Sequence, residues 1–412
     1  MIDYPTIILA ASLIFCYGLI SRVSENSPIS APMVFAGIGI LAGPLAFDLF
    51  EVNLNATIVK LIAEITLVIV LFVDASTVNL QTLRANRGLP LRLLGIGLPL
   101  TMLLGFVAAV WLINVQSLWV AALVALILSP TDAALGQAVV ASKSLPEHIR
   151  QAINVESGLN DGIALPPILM CIAALSGGAH TGSHPDSWLV FMARQLTLGP
   201  LVGIMIGWWG GRLVDKASNK EWMQPAFQRL VAGSLAVIAY ALAEAFHGNG
   251  FIAAYCAGLF LGTQTHAVRE RIQEFGEAEG QQMSLFVFLI LGLAMVPAMV
   301  KYWDIQALFY AILSLSVIRM IPVVLCLRGT GLDGPGMWFI AWFGPRGIAS
   351  VLYALIAVSN LGVTGYERGF AVITLTVLLS VFLHGLSAVP LTVCYSRYLD
   401  RRGLVHDDSA SG

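Results

Sequence analysis

The chain has 412 residues, 58% of them apolar and 11% charged, with a formal net charge of −2. Soluble chains run nearer to about 45–50% apolar and about 25% charged, so this composition cannot coat a water-facing surface and reads as an integral membrane protein. Near-neutral charge leaves no footprint for nucleic acid. The five cysteines (Cys16, Cys171, Cys256, Cys326 and Cys394) stand singly in apolar runs, which excludes a disulfide scaffold and a CxxC zinc or redox site; no cofactor is called for.

A bilayer core about 30 Å thick takes roughly 20 residues of apolar helix. In chain order that ruler gives thirteen segments, at 5–22, 31–50, 56–79, 90–113, 117–142, 150–176, 187–212, 226–247, 250–264, 281–301, 305–328, 336–361 and 368–395. The opening Met1-Ile2-Asp3-Tyr4-Pro5 lacks the basic region of a signal peptide, so the first segment is expected to be a retained helix. His247-Gly248-Asn249-Gly250 is expected to form a tight turn before the short ninth segment. Of the 22 Lys and Arg residues, Lys60, Arg194, Arg319 and Arg346 lie inside spans and only Lys301 and Arg368 fall in one set of alternate loops, which leaves sixteen in the other. Basic loops stay inside. The N terminus is therefore expected outside and the C terminus in the cytoplasm, with 396–412 as a short cytoplasmic tail and no appended soluble domain.

Two pairs of segments echo each other. Segments 2 and 9 carry GxxxG patterns, in Ala36-Gly37-Ile38-Gly39-Ile40-Leu41-Ala42-Gly43 and in Ala257-Gly258-Leu259-Phe260-Leu261-Gly262. Segments 5 and 12 are both interrupted in mid-membrane, at Ser129-Pro130-Thr131-Asp132 and at Phe343-Gly344-Pro345-Arg346-Gly347. Each pair is seven helices apart. That odd offset reverses direction across the membrane, so segments 1–6 and 8–13 read as inverted repeats with two unwound, crossing helices, an architecture of secondary transporters.

An ionised group at mid-membrane costs on the order of 2.5–3.5 kcal/mol on insertion scales, so each needs a reason. Lys60 and Glu64, one turn apart, are expected to pair, and Glu244 and Arg194 lie near the outer ends of their helices, where they can snorkel. Segment 6 is different: Asn154-Val155-Glu156-Ser157-Gly158-Leu159-Asn160-Asp161-Gly162 sets Ser157 and Asp161 on one helical face and Glu156 with Asn160 on the next. Segment 5 brings Thr131 and Asp132 to the same depth beside Pro130, which must unwind its helix and free backbone carbonyls. Carboxylate, amide, hydroxyl and carbonyl oxygens suit a small, hard cation. A carboxylate shielded from water holds a proton or a metal cation but not comfortably both, and competition for one site is an exchange mechanism. Glu156 is expected to neutralise Arg346 as a buried pair, which leaves Asp132 and Asp161 to face the ion. Asp74 is expected either to line the cytoplasmic mouth or to pair with Arg319.

With these residues assembled, the sequence resembles the monovalent cation:proton antiporter superfamily, in particular its NhaP-like, sodium/proton-exchanger branch. Glu156-Ser157-Gly158-Leu159-Asn160-Asp161 is similar to that branch's Asn-Asp segment, Thr131-Asp132 to its unwound-helix motif, and Gly344-Pro345-Arg346-Gly347 to its late Arg-Gly motif. A further stretch, Ala243-Glu244 through Gly262, matches in order. The resemblance implies a homodimer in the cell membrane, with a core domain (around 117–176 and 305–361) moving against a dimerisation scaffold (around 5–50 and 187–264). It implies Asp161 as cation and proton carrier, with Asp132, Thr131, Ser157 and Asn160 as ligands or supports and Glu156 with Arg346 as the stabilising ion pair. Thr131 is expected to contribute its hydroxyl or its backbone, since Pro130 here precedes the Thr-Asp pair. Na+ is the expected cation, with Li+ and K+ as alternatives, and Asn160 beside Asp161 goes with electroneutral one-for-one exchange. Asp74, Glu244 and Arg319 remain candidates for an ion pathway.

Rival readings explain less. Asp132 and Asp161 satisfy the count for an intramembrane aspartyl protease, yet Gly158-Leu159-Asn160-Asp161 lacks the second glycine of the Gly-x-Gly-Asp segment typical of that chemistry. A cation channel, or an organic-anion carrier on a related inverted fold, stays open as the alternative, although three midplane carboxylates against one arginine favour a cation. His180 and His184 sit in a Gly/Ser-rich outer loop that reads as a linker. Arg269 to Glu279 reads as a solvated inner helix or loop, and His384 as a hydrogen-bonded structural residue.

Overall fold

A computed structural model of the chain describes residues 4–402 apart from 25–26, 28, 51, 53, 55–56, 78–87, 116, 133–134, 136, 141, 143, 177–184 and 265–268. His180, His184 and the tail beyond 402 therefore lie outside the described residues. Among the described residues all regular structure is helical: α1 (Tyr4–Ser24), α2 (Ala31–Ala42), α3 (Thr57–Thr77), α4 (Gly88–Leu112, with a π-helical turn at Leu93–Gly97), α5 (Leu118–Ile127), α6 (Gln137–Val140), α7 (Glu147–Leu175), α8 (Pro185–Asn219), α9 (Pro225–Ala245), α10 (Gly250–Gln264), α11 (Arg269–Ile290, running on through a second π-helical turn at Leu291–Met295 to Tyr302), α12 (Ile305–Leu327, hitched at Ser316), α13 (Gly334–Trp342), α14 (Ile348–Leu361) and α15 (Glu367–Arg401).

Each apolar segment of the sequence contains helix, but not every one is a full span. Among the described residues, six helices are long and apolar enough to cross a membrane, namely α4, α7, α9, α11 from Ala278, α12 and α15. Segments 2, 5 and 12 are shorter than expected, and each is cut at a proline. α2 stops at Ala42, before Gly43 and Pro44; α5 stops at Ile127, before Pro130; and the twelfth segment is divided into α13 and α14 around Pro345. The mixed-charge stretch from Arg269 forms the first turns of α11.

Polar side chains close several helix starts. Ser117 accepts from Trp119 N at 3.2 Å, Asp304 from Ala307 N at 2.7 Å and Asp333 from Gly336 N at 3.0 Å. The turn at 246–249 forms as expected: His247 takes φ 57°, Gly248 N returns to Ala243 O, and Asn249 Oδ1 caps α10 through Ile252 N at 3.0 Å. Glu244 Oε1 adds a bond from Gly250 N at 2.9 Å. Lys60 and Glu64 pair at 3.7 Å along the exposed side of α3, a contact of little energetic weight.

The helices form two groups. α2, α3 and α8 to α11 pack on one another, and α4, α5, α7 and α12 to α15 form the second group, meeting the first where α3 lies against α7 and α14, α10 against α7, α11 against α14 and α15, and α2 against α15. Glycine sets the tightest contacts of the first group. Gly199, Gly203 and Gly207, each four residues apart on α8, lie against the backbone of α10 at Asn249, Ala253 and Ala257; Gly258 on α10 in turn meets the carbonyl of Phe72 on α3. The GxxxG of α2 works similarly, with Gly39 against Leu289 and Gly292 of α11. In the second group Arg368 ties the start of α15 to that of α12, with Nη2 2.7 Å from Asp304 Oδ2.

Gly203→Leu should therefore force α8 from α10 and lower the thermal midpoint of the purified protein, by an overpacking cost of about 1–3 kcal/mol or more. Gly233→Ala, where nothing lies within 4 Å, should leave the midpoint unchanged or raise it. The Ala307 N–H, helped by Arg368, holds the Asp304 carboxyl below its ordinary range, so its contribution is present above pH about 4 and fades as pH falls through the lowered value. Asp304→Ala should cost stability at neutral pH, and the difference from wild type should close in acid.

Candidate functional site

The two broken helices meet. Asp132 N donates to Pro345 O at 2.9 Å, Ser350 Oγ to Ile127 O at 2.7 Å, and Arg346 Nη1 to Ser129 O at 3.1 Å and Pro130 O at 3.4 Å. As residue number rises along one break it falls along the other, so they pass antiparallel, as the inverted repeat requires.

Three half-helix ends meet there, the carbonyl ends of α5 and α13 and the amide end of α14, each with backbone groups that lipid cannot satisfy. Arg346, 0% exposed, serves the carbonyl ends: Nη1 reaches Ser129 O and Pro130 O beyond α5 and Gly344 O beyond α13, at 3.2 Å for the last. Asp132 serves the opposite polarity, accepting from Ile348 N at 2.8 Å and so capping α14 from the other break. The glycines of Gly344-Pro345-Arg346-Gly347 leave room for charges. A Cβ on Gly347 would collide with the Asp132 carboxylate, and one on Gly344 with the Arg319 guanidinium.

The expected pairing of Glu156 with Arg346 is not found. Glu156 is bound by Arg319 of α12, with Nη1 2.6 Å from Oε1 as an ion contact and Nη2 donating to Oε2 at 2.8 Å, both side chains 1% exposed. The physical reason is that the Arg346 guanidinium is already turned onto the carbonyls of the breaks. Arg319, expected as a pathway candidate or a partner of Asp74, is thereby committed to Glu156.

Beside the crossing, α7 presents Ser157, Asn160 and Asp161, all buried. Asn160 Nδ2 donates to Thr131 Oγ1 at 2.6 Å, and Thr131 Oγ1 lies 3.2 Å from Ser157 Oγ. Asn160 Oδ1 and Asp161 Oδ1 are buried without a hydrogen-bond partner. Asp161, 4% exposed, lies within electrostatic range of Asp132 and of Asp74 on α3. Of the sequence candidates, the structure thus gathers Thr131, Asp132, Ser157, Asn160 and Asp161 at one place, with Asp74 nearby. Glu244 stands apart, exposed and engaged by the α10 turn.

Sequence reasoning missed Tyr353 and Tyr255. Tyr353 Oη donates to the Asp161 carbonyl at 2.9 Å, and Tyr255 Oη to the Leu159 carbonyl at 3.4 Å while its ring covers Gly162. Both fasten the backbone that carries Asp161. An apolar run hides such a tyrosine, because nothing in spacing says where its hydroxyl will land.

The profile of the sodium/hydrogen exchanger transmembrane family matches residues 9–394. The chain is 27% identical over 388 residues to the K(+)/H(+) antiporter NhaP of Alkalimonas amylolytica, covering 93% of this chain and 66% of that one. It is 26% identical over 377 residues to the K(+)/H(+) antiporter NhaP2 of Shewanella sp. (strain MR-4), covering 90% and 63%. It thus spans just under two thirds of the length of these relatives. Among solved structures, the sodium proton antiporter MjNhaP1 from Methanocaldococcus jannaschii at pH 8 shares the fold, with a TM-score of 0.77 at 19% identity over 93% of this chain and 100% of that one.

The buried Glu156–Arg319 pair makes a sharp demand on stability. Glu156→Gln or Arg319→Met alone strands its partner in an apolar setting and should cost about 3–5 kcal/mol, read as a lower thermal midpoint and less monodisperse protein. The double substitution should recover most of the loss.

Proposed function

The chain belongs to the sodium/hydrogen exchanger family, and on that premise we propose that it exchanges a monovalent cation for H+ across the membrane by alternating access. The observation that carries this reading is Asp161: a carboxylate buried beside two unwound helices, with one oxygen that no protein group satisfies. Burying such a group is expensive. The cost is tolerated where a proton and a cation take turns on that oxygen, each neutralising the charge so that the protein can reorient.

The neighbouring groups divide the work. Asn160 Oδ1 supplies a neutral oxygen to the cation, while its amide nitrogen fixes Thr131, whose hydroxyl is shared with Ser157. Asp132 acts chiefly through the Ile348 cap, supporting the site by its charge. Glu156 is neutralised by Arg319. That leaves Asp161 as the exchanging carboxylate, and one carboxylate swaps one proton for one cation, so the exchange is electroneutral. Na+ is the cation read from the sequence, with Li+ and K+ as alternatives. The names of the curated relatives put K+ beside Na+ in any first test.

The remaining features follow the same reading. The second helix group is the moving core and the first is the scaffold of a homodimer, a division that extends the expected core at 117–176 and 305–361 to α4 and α15. Asp74, on the scaffold side of the seam between α3 and α7, lines the ion's route. The sixteen-to-two split of basic residues favours a cytoplasmic C terminus and an outer N terminus in the cell membrane.

The test is reconstitution in vesicles holding a pH-sensitive dye, with K+, Na+ and Li+ added in turn. Wild type should collapse a proton gradient on addition of at least one of them, whereas Asp161→Ala and Asp161→Asn should match protein-free vesicles. The rate should not respond to an imposed membrane potential. Cation-driven proton flux that survives Asp161→Ala would overturn the assignment, and a steady cation current without proton movement would favour a channel.

A further inference from the structure

Ser380 and His384, on one face of α15 and 0% and 1% exposed, take no part in the site as described above. They stand at the bond that the second break has lost. In an uninterrupted helix the carbonyl of residue 342 accepts from the N–H of residue 346, but the unwinding at 343–347 parts Trp342 from Arg346. Arg346 N now donates to Ser380 Oγ at 2.6 Å, Ser380 Oγ lies 3.1 Å from His384 Nδ1, and His384 Nε2 lies 3.1 Å from Trp342 O.

The chemistry fixes the direction of this chain. A carbonyl only accepts, so the contact with Trp342 O requires the imidazole proton on Nε2. Nδ1 then accepts from the Ser380 hydroxyl, whose oxygen in turn accepts from Arg346 N. Three donors meet three acceptors. With the proton on Nδ1 instead, the ring would point it at the Ser380 carbonyl, 3.1 Å away, set two lone pairs against each other at Trp342 and leave the serine hydroxyl no acceptor in the ring. A second set of contacts holds the same geometry: the Trp342 ring lies 5.0 Å from the His384 ring, and Trp342 Nε1 donates to Ser387 Oγ at 3.0 Å.

We propose that Ser380 and His384 are positioning residues of the exchanger: a side-chain bridge spliced between Trp342 and Arg346 that holds the break at a fixed span and so keeps the Arg346 guanidinium on the carbonyls of Ser129, Pro130 and Gly344. Without the bridge the guanidinium is free to turn toward the carboxylates and lower their affinity for a cation. The transport readout rests on the exchange reading above; the structural readout does not.

The experiment compares Ser380→Ala, His384→Leu, their double variant and the conservative Ser380→Thr and His384→Gln with wild type in vesicles. Loss of the bridge should raise the apparent KM for the cation about three- to tenfold while the maximal rate stays within about twofold, as expected for one neutral hydrogen bond. The double variant should be no worse than the worse single, because both residues belong to one chain of bonds. Ser380→Thr and His384→Gln, which keep a hydroxyl and a donor–acceptor pair, should restore most of the affinity. Amide hydrogen exchange over residues 343–348 provides the readout independent of transport: Ser380→Ala and His384→Leu should speed exchange there about three- to tenfold, and Ser380→Thr should not. Folded variants with unchanged exchange at 343–348, or KM effects that simply add, would overturn the bridge. Wild type that moves no protons with any alkali cation, while the exchange pattern appears as expected, would overturn the transport reading and leave the bridge standing.

Discussion

The structure depends on how backbone groups are satisfied where two helices come apart inside a membrane. Lipid offers no hydrogen bonds, so an unwound stretch must find its partners in the protein. Here each break finds them in the other. Arg346, from the second break, neutralises the carbonyl end of α5 along with that of its own α13, and Asp132, from the first, caps the amide end of α14. Neither break can be understood alone. The electrostatics that make the crossing possible also make it useful, because two residues of opposite charge are spent on the backbone and the remaining carboxylate of the group, Asp161, is left with an oxygen to offer.

Much of this was legible in the sequence because the membrane makes polar residues conspicuous. Pro130 and Pro345 each interrupt an apolar run, and Asp132, Glu156, Asp161 and Arg346 stand out against it, so the breaks and the cluster around α7 could be found by depth alone. Depth does not identify partners. Arg319 and Arg346 are both buried, and only the three-dimensional course of α12 decides that Arg319 reaches Glu156. The glycines show the same limit: the GxxxG patterns of α2 and α10 were noticed, while Gly199, Gly203 and Gly207 of α8, with the same spacing, make a comparably tight contact that was not. Tyr353, Tyr255 and Ser380 were invisible, and His384 was read as hydrogen-bonded without its partners, since a hydroxyl or an imidazole in an apolar helix gives no hint of which group it will meet.

The two glycines of Gly344-Pro345-Arg346-Gly347 show why a short motif can carry much of a site. Each is small because a charge from elsewhere lies against it, Arg319 at Gly344 and Asp132 at Gly347. The motif is therefore a socket for two side chains as much as a bend in one helix, and its sequence records contacts made with residues roughly 25 and 215 positions away.

The glycine stripe of α8 bears on mechanics. With Gly203 and Gly207 seated on the carbonyls of Ala253 and Ala257, and Gly258 on that of Phe72, helices α8, α10 and α3 interlock at backbone level like tongue and groove. Such a slab has little give between its planks, so on the proposed exchange any sliding of one half of the molecule past the other falls at the joint where α2, α3, α10 and α11 border α7, α14 and α15. The α3–α7 stretch of that joint runs alongside Asp161, where on that reading a small slip changes which side of the slab the carboxylate looks out from.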